Sequence, residues 1–165
     1  MQEKDGWVVL LNNQLETENA SYRIINASIS GETTGGGLAR LPGILAKNKI
    51  DYLLIELGGN DGLRGFPPKL IENNLLQIIE LAQAKNIKVL ISKVRIPPNY
   101  GPRYSKMFSK VFSNVSTQTN SPLLPFFIEV VATDPTLMQG DGIHPTKAAQ
   151  PLLAKEMKSI IDKAL

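Results

Sequence analysis

Residues 52–61 read YLLIELGGND, an apolar run of strand length that ends in a Gly-Gly turn followed by two polar side chains. A continuous apolar run of this length is typical of a strand that is buried on both faces of a parallel sheet. Runs of similar character occupy residues 22–27 and 88–94, and a weaker one occupies residues 123–127. We therefore predict strands over these three ranges and over residues 52–57.

Stretches with helical spacing separate the predicted strands. Apolar positions recur at intervals of three and four over residues 71–82 and 104–115, and similar stripes run through residues 7–15 and 153–164. Alternating strands and helices predict an α/β fold with a parallel sheet. Because no repeat, low-complexity stretch or linker interrupts the alternation, we predict that residues 1–165 form a single domain.

The composition excludes several classes of function. A hydrophobic fraction of 42% with 20% charged residues is ordinary for a globular domain. The net charge is only +3 and the lysines are scattered, so nucleic acid is not an expected partner. The chain has no cysteine, which excludes a disulfide scaffold and thiol catalysis. No apolar run approaches the roughly 20 residues of a membrane span, and no signal peptide is visible, so we expect no stable membrane insertion.

The single histidine of the chain follows an aspartate by three residues, in the stretch DGIHPT at 141–146. Across such a Gly turn, Asp141 can meet the imidazole Nδ1 of His144, which leaves Nε2 to take a proton from a hydroxyl nucleophile. One histidine without cysteine supplies too few ligands for a soft metal, so we predict no metal site. The pair is therefore a candidate catalytic acid and base; the simpler alternatives are a turn-forming aspartate and a loop histidine.

Polar turns follow two of the predicted strands. Gly31 lies shortly after residues 22–27, and Asn60 lies shortly after residues 52–57. Ligands of parallel α/β sheets bind at the edge formed by the carboxyl ends of the strands. The backbone N–H of Gly31 and the side-chain NH2 of Asn60 are therefore candidate donors to an oxyanion. A turn glycine and a helix-capping asparagine are the plainer alternatives.

Five motifs in chain order together resemble one family, the SGNH (GDSL) hydrolases, and within it the thioesterase I/protease I/lysophospholipase L1 branch. They are NASISG at 26–31, ELGGNDGLRG at 56–65, PNYG at 98–101, LPFF at 124–127 and DGIHP at 141–145. The resemblance covers nearly the whole chain.

This resemblance implies a flavodoxin-like three-layer α/β/α fold, a Ser-His-Asp triad and hydrolysis of esters or acyl thioesters. It assigns the triad acid to Asp141, the base to His144, and the oxyanion donors to Gly31 and Asn60. A loop that covers the acyl chain matches Leu63, Arg64, Gly65, Phe66 and Pro67.

The resemblance further implies an arylesterase, thioesterase or lysophospholipase of lipid metabolism, which acts in the periplasm or outside the cell. The partner it implies is a small acyl ester or thioester, and no cofactor is required. The motifs do not rank these substrates, and nothing in the sequence specifies an oligomeric state.

One departure from the family concerns the nucleophile, because no Gly-Asp-Ser-Leu block occurs in the chain. The family carries this block on its first strand, ahead of the helix that here begins near Asp5. We therefore expect the first strand, the serine and any export signal to lie upstream of Met1, and the chain as given to be inactive. Ser28 and Ser30 lie near the predicted site but lack the strand-to-helix turn that projects a nucleophile.

Two consequences follow from this departure. An inactive acyl-chain or lipid-binding protein of the same fold is the main alternative function. In the flavodoxin-like strand order 2-1-3-4-5, the first strand lies between residues 22–27 and 52–57. Its absence predicts either an open slot between these two strands or a pairing that the family does not use.

Overall fold

The computed structural model describes residues 5–165, and these fall into two compact units. The central unit is Ser28–Phe126, and the terminal unit combines the described residues up to Ala27 with Phe127–Leu165. In chain order the elements are α1 (Trp7–Thr17), α2 (Thr34–Lys47), β1 (Tyr52–Ile55), α3 (Gly59–Leu63), α4 (Pro68–Gln83), β2 (Lys88–Ser92), α5 (Pro102–Thr119), β3 (Leu123–Leu124), α6 (Glu129–Ala132) and α7 (Gln150–Ala164).

The central unit contains a parallel sheet with the strand order β1-β2-β3. Tyr52 pairs with Lys88 at one end of the first ladder, and Ile91 pairs with both Ile55 and Leu123. The predicted α/β class with a parallel sheet is confirmed. Each of these three strands is shorter than its apolar run, because the last residues of each run lead into the following turn.

The prediction of a strand over residues 22–27 is wrong. A strand requires a neighbouring strand that bonds its backbone groups, whereas here a side chain takes that role. The Ile24 N–H donates to Asn12 Oδ1 at 2.8 Å, and Asn12 Nδ2 donates to the Ile24 carbonyl at 2.8 Å. Within the described residues the sheet consists of β1, β2 and β3 alone, and β1 pairs only with β2.

The core of the central unit is formed by apolar stripes of α2, α4 and α5 and by the side chains of the sheet. The predicted stripe over residues 71–82 lies on α4, where Ile71, Leu75, Ile79 and Ala82 are fully buried. The stripe on α5 is likewise buried, including Phe108, Val111, Phe112 and Val115. Both helices confirm the spacing argument.

Helix α2 was not predicted from the sequence. It contains three consecutive glycines and Pro42, which all disfavour a helix. The side chain of Thr33 caps its first turn by accepting the Gly36 N–H at 3.2 Å, and Leu41 and Leu45 are buried in the core. Capping and tertiary packing therefore outweigh the poor intrinsic propensity.

In the terminal unit, α1 packs against α7. The buried faces are Leu11 and Leu15 on one helix and Leu153 and Met157 on the other, as their spacing predicts. The Trp7 ring meets the Phe127 ring edge-on, with centroids 5.5 Å apart, so this tryptophan belongs to the packing. Among residues 5–165, no helix combines the length and apolar character that crossing a membrane requires.

Candidate active site

A tight turn connects β1 to α3 and delivers two polar side chains to the end of the strand. Gly58 in this turn has φ = +110°, in the left-handed region that favours glycine. A Cβ at this position would also lie 3.1 Å from Cζ of Phe112. The turn therefore needs glycine, and it brings Asn60 and Asp61 to the start of α3.

The side chain of Asn60 is fixed against the segment that follows Gly31. Its Nδ2 donates to the backbone carbonyl of Glu32 at 2.9 Å. Because a carbonyl only accepts, this contact determines which end of the amide faces Glu32, and the second N–H of the same group remains for another acceptor. Nη2 of Arg64 donates to the Gly31 carbonyl at 3.3 Å. The structure thus brings Gly31, Asn60 and Arg64 together within the central unit.

Two tyrosine hydroxyls hold the loop predicted to cover an acyl chain. The Tyr100 hydroxyl donates to the Leu63 carbonyl at 2.7 Å, and the Tyr104 hydroxyl donates to the Phe66 carbonyl at 2.6 Å. The Phe66 N–H in turn donates to the backbone carbonyl of Asp61 at 2.9 Å. Residues 63–67 are therefore a bonded loop directly after α3.

Asp141 and His144 lie in contact in the terminal unit. The His144 Nδ1 is 2.7 Å from Asp141 Oδ2, which confirms the predicted hydrogen-bond reach. The other carboxylate oxygen accepts the backbone N–H groups of His144 at 3.0 Å and Ile143 at 2.9 Å. These bonds, those to His144 first, hold the pKa of the Asp141 carboxyl well below its usual range. The Asp141 carboxyl therefore stays ionised, and it engages Nδ1 of the imidazole.

A short antiparallel bridge supports this pair. The backbone N–H of Gln139 donates to the His144 carbonyl at 2.7 Å, and its side-chain Nε2 donates to the Pro145 carbonyl at 3.1 Å. Pro145 also pairs with Met138 in the bridge. The His144 side chain is 61% exposed and that of Asp141 is 43% exposed. The pair of Asp141 and His144 is accordingly held by its backbone and not by burial.

The predicted site residues thus form two groups, one in each unit. Gly31, Asn60 and residues 63–67 belong to the central unit, and Asp141 and His144 belong to the terminal unit. That Gly31, Asn60 and His144 face one shallow cleft at the carboxyl edge of the sheet is a further prediction from the sequence.

Sequence reasoning missed the polar residues that hold these groups in place. Thr34, Tyr100 and Tyr104 were not singled out as site residues, yet each bonds a residue of the α3 turn or of the loop after it. Tyr100 lies in the PNYG motif, which is the one local signal that pointed to it. The contact between Thr34 and Asp61 has no local signal, because the two residues are 27 positions apart.

The sequence matches the GDSL-like Lipase/Acylhydrolase family over residues 2–151. The chain belongs to this family. It is 48% identical over 152 residues to Esterase TesA of Pseudomonas aeruginosa, which covers 92% of this chain and 76% of the relative. It is 44% identical over 152 residues to thioesterase 1/protease 1/lysophospholipase L1 of Escherichia coli, with 92% and 72% covered.

Solved structures agree with the sequence relatives. The crystal structure of the psychrotrophic esterase EstA from Pseudoalteromonas sp., inhibited by monoethylphosphonate, matches with a TM-score of 0.96 and 47% identity over 99% of this chain and 89% of that chain. The match is consistent with the predicted three-layer α/β fold. Together, the family and these relatives support an ester hydrolase function.

Proposed function

We propose that this chain supplies the acid, the base and the oxyanion donors of a serine ester or thioester hydrolase. The nucleophile would be the serine of a Gly-Asp-Ser-Leu segment, which these 165 residues do not contain. The observation that carries the proposal is the contact of Asp141 Oδ2 with His144 Nδ1 at 2.7 Å. This contact engages Nδ1 and leaves Nε2, the nitrogen that a triad base uses, available to take the proton of the nucleophile.

In the proposed reaction the serine hydroxyl attacks the acyl carbonyl and His144 Nε2 accepts its proton. The imidazolium then donates that proton to the departing alcohol or thiol, and an acyl-enzyme remains. Water, deprotonated by the same nitrogen, then attacks the acyl-enzyme; the carboxylic acid leaves, and His144 returns the proton to the serine oxygen. Asp141 keeps Nδ1 protonated and stabilises the charged ring in both halves.

The oxyanion that forms in each half-reaction would accept bonds from the Gly31 N–H and the Asn60 side chain. Donors of this kind act on charge that develops only in the transition state, and losing one costs about 10²–10³-fold in kcat in well-studied hydrolases. The bond from Asn60 to Glu32 supports the assignment, because it holds the amide in one orientation.

The substrate class we propose is a small acyl ester or thioester of lipid metabolism, as the names of the relatives suggest. The loop at residues 63–67, held by Tyr100 and Tyr104, would cover the acyl chain. We further propose that residues 1–165 act as one domain and that the protein works in the periplasm or is secreted. The mechanism calls for no metal or organic cofactor.

The nucleophile can be identified by covalent labelling. The reagent is ethyl p-nitrophenyl methylphosphonate, which phosphonylates a reactive serine and loses p-nitrophenolate. The two proteins compared are this chain and a serine-bearing form, defined as this chain preceded in frame by the family's Gly-Asp-Ser-Leu strand and turn. Peptide mass spectrometry should place the phosphonate on the Gly-Asp-Ser-Leu serine and leave the chain alone unmodified. A phosphonate on Ser28 or Ser30 would refute this location of the nucleophile.

The absence of a Gly-Asp-Ser-Leu motif from the sequence also favours a second candidate function, a non-catalytic acyl-chain or lipid binder. This candidate predicts that the serine-bearing form is neither labelled nor active, while the chain alone binds a medium-chain fatty acid in calorimetry. Labelling together with turnover in the serine-bearing form excludes it.

A further inference from the structure

Three side chains project from one face of α3 and its cap. Asn60 and Arg64 are four positions apart, and Asp61 and Arg64 are three apart, which places them together on a helix surface. Nδ2 of Asn60 donates to the Glu32 carbonyl at 2.9 Å, and Nη2 of Arg64 donates to the Gly31 carbonyl at 3.3 Å. This face therefore bonds two consecutive carbonyls of one segment.

The third contact joins Asp61 to Thr34 and is buried. The Asp61 carboxylate accepts the backbone N–H of Thr34 at 2.9 and 3.2 Å and the Thr34 hydroxyl at 2.5 Å. Both residues are fully buried. The Thr34 hydroxyl also accepts Nδ2 of Asn74 at 3.0 Å, so its donor and acceptor capacities are both used. Thr34 is the first residue of α2, where an acceptor for backbone N–H groups is favoured.

The segment is also tied to α2 from its other side. The Glu32 carboxylate accepts Nε of Arg40 at 2.7 Å and the Thr33 N–H at 3.0 Å. The Arg40 guanidinium is the main reason that the pKa of Glu32 lies below its ordinary value. Residues 31–34 are thus bonded along their length, with α3 on one side and α2 on the other.

We infer that Asp61 is a positioning residue of the oxyanion hole. By holding Thr34, it fixes the segment that carries the Gly31 N–H against the helix that carries the Asn60 amide, so the two donors keep one separation. Asp61 itself is buried and acts through its neighbours. The inference rests on the proposed function for its chemical meaning, but the bonds from Thr34 to Asp61 are a property of the structure.

The chemical consequence concerns kcat and not substrate binding. The ground-state carbonyl carries little charge, so a loosened donor pair barely alters KM, whereas the transition state loses stabilisation. Misplacing a catalytic group by about 1 Å can cost about 10²-fold in rate. A purely structural role for Asp61 would lower the amount of folded protein and leave kcat per active site unchanged.

The kinetic test uses the serine-bearing form, with active sites counted by phosphonate titration. Thr34→Val removes the hydroxyl's bonds to Asp61 and Asn74 but keeps the backbone N–H bonds to Asp61. It should lower kcat about fivefold at constant KM, the effect of about one hydrogen bond. Thr34→Ser keeps the hydroxyl and should retain kcat. Asp61→Asn should lower kcat by about 10- to 100-fold. Asp51→Asn, which makes the same change at an exposed position, is the control and should leave kcat and KM unchanged.

A second measurement needs no catalysis. The 15N heteronuclear NOE of the Gly31 amide, recorded on the chain itself and on the serine-bearing form, should fall in Asp61→Asn and in Thr34→Val but not in Thr34→Ser or Asp51→Asn. Where Asp61→Asn does not fold, the Thr34 pair decides. An unchanged NOE, or an unchanged kcat per active site in Thr34→Val, would overturn the inference. Absence of turnover in the serine-bearing form would refute the proposed function. The NOE would still test whether Asp61 holds the segment at residues 31–34 through Thr34.

Discussion

The loop at residues 141–144 and the segment at residues 31–34 are assembled in opposite ways. Asp141 reaches the ring and backbone of His144 three positions along the chain, and the pair is exposed. The contacts from Asn60 and Asp61 cross 28 and 27 positions, and that between Asp61 and Thr34 is buried. The first arrangement depends on local backbone geometry, whereas the second exists only once α2, α3 and the sheet have packed. We therefore expect the geometry of the loop to depend on its own backbone, and the geometry of the segment to depend on the packing of the surrounding fold.

The largest effect we expect comes from the local contact. In the serine-bearing form, Asp141→Asn should lower kcat about 10⁴-fold, because the amide cannot hold the imidazole in the required tautomer or stabilise its charge. Thermal unfolding should change little, since the residue is exposed. Steady-state hydrolysis of p-nitrophenyl butyrate measures the first quantity, and circular dichroism the second. A variant that keeps wild-type kcat would remove Asp141 from the triad.

A smaller catalytic effect should come from the distant contact. Asn60→Ala removes a proposed oxyanion donor and should lower kcat about 10²–10³-fold with little change in KM. The same assay applies, with Asn73→Ala as the control at an exposed asparagine of α4. If Asn60→Ala raised KM at constant kcat, the side chain would bind substrate and the oxyanion assignment would be wrong.

The two regions should also differ in how much they contribute to the unfolding free energy of the chain itself. Asp61→Ala leaves the buried Thr34 N–H without its acceptor, which should cost about 1–3 kcal/mol of unfolding free energy. Asp141→Ala removes bonds that water can replace, so its cost should be much smaller. Urea unfolding of both variants gives the comparison. Equal costs would contradict the distinction between a packed segment and a local loop.

The same distinction explains which parts could be predicted from the sequence. The approach of Asp141 to His144 followed from spacing and a Gly turn, and the helices followed from stripes such as Ile71, Leu75 and Ile79. Helix α2 and the bond between Thr34 and Asp61 could not be predicted, because tertiary contacts produce both.

The failed strand over residues 22–27 has a related cause. The run has the apolar character of a strand, but a strand forms only beside a neighbouring strand. No local sequence pattern shows whether that neighbouring strand is present. In the structure, Asn12 of α1 bonds the backbone of Ile24 at both its N–H and its carbonyl. A side chain that replaces a strand in this way leaves no signal in the hydrophobic pattern.

The smallest effect we expect concerns Glu56, the residue between β1 and the Gly58 turn. Desolvation by the surrounding protein raises the pKa of its carboxyl from 4.5 to about 7, although the residue keeps exposed surface. Below pH 4.5 the carboxyl is protonated in both folded and unfolded chains and costs nothing. As the pH rises to about 7, ionisation increasingly favours the unfolded chain.

Glu56→Gln should therefore unfold at the same temperature as the wild type at pH 4 and at a slightly higher temperature at pH 8. The difference should be modest, since solvent reaches the residue. Differential scanning fluorimetry across this pH range measures it, and Glu80→Gln on the exposed side of α4 is the control. A gap that is constant with pH would show that Glu56 has an ordinary pKa.

The central claim is that this chain carries a working base and acid and lacks only the nucleophile. The most direct test is the initial rate of p-nitrophenyl butyrate hydrolysis by three proteins: the chain, the serine-bearing form, and the serine-bearing form with His144→Ala. We predict that the chain does not exceed the buffer rate, that the serine-bearing form turns over, and that His144→Ala lowers its kcat about 10⁶-fold. Hydrolysis by the chain alone above the buffer rate, or turnover by the serine-bearing form that survives His144→Ala, would contradict the account.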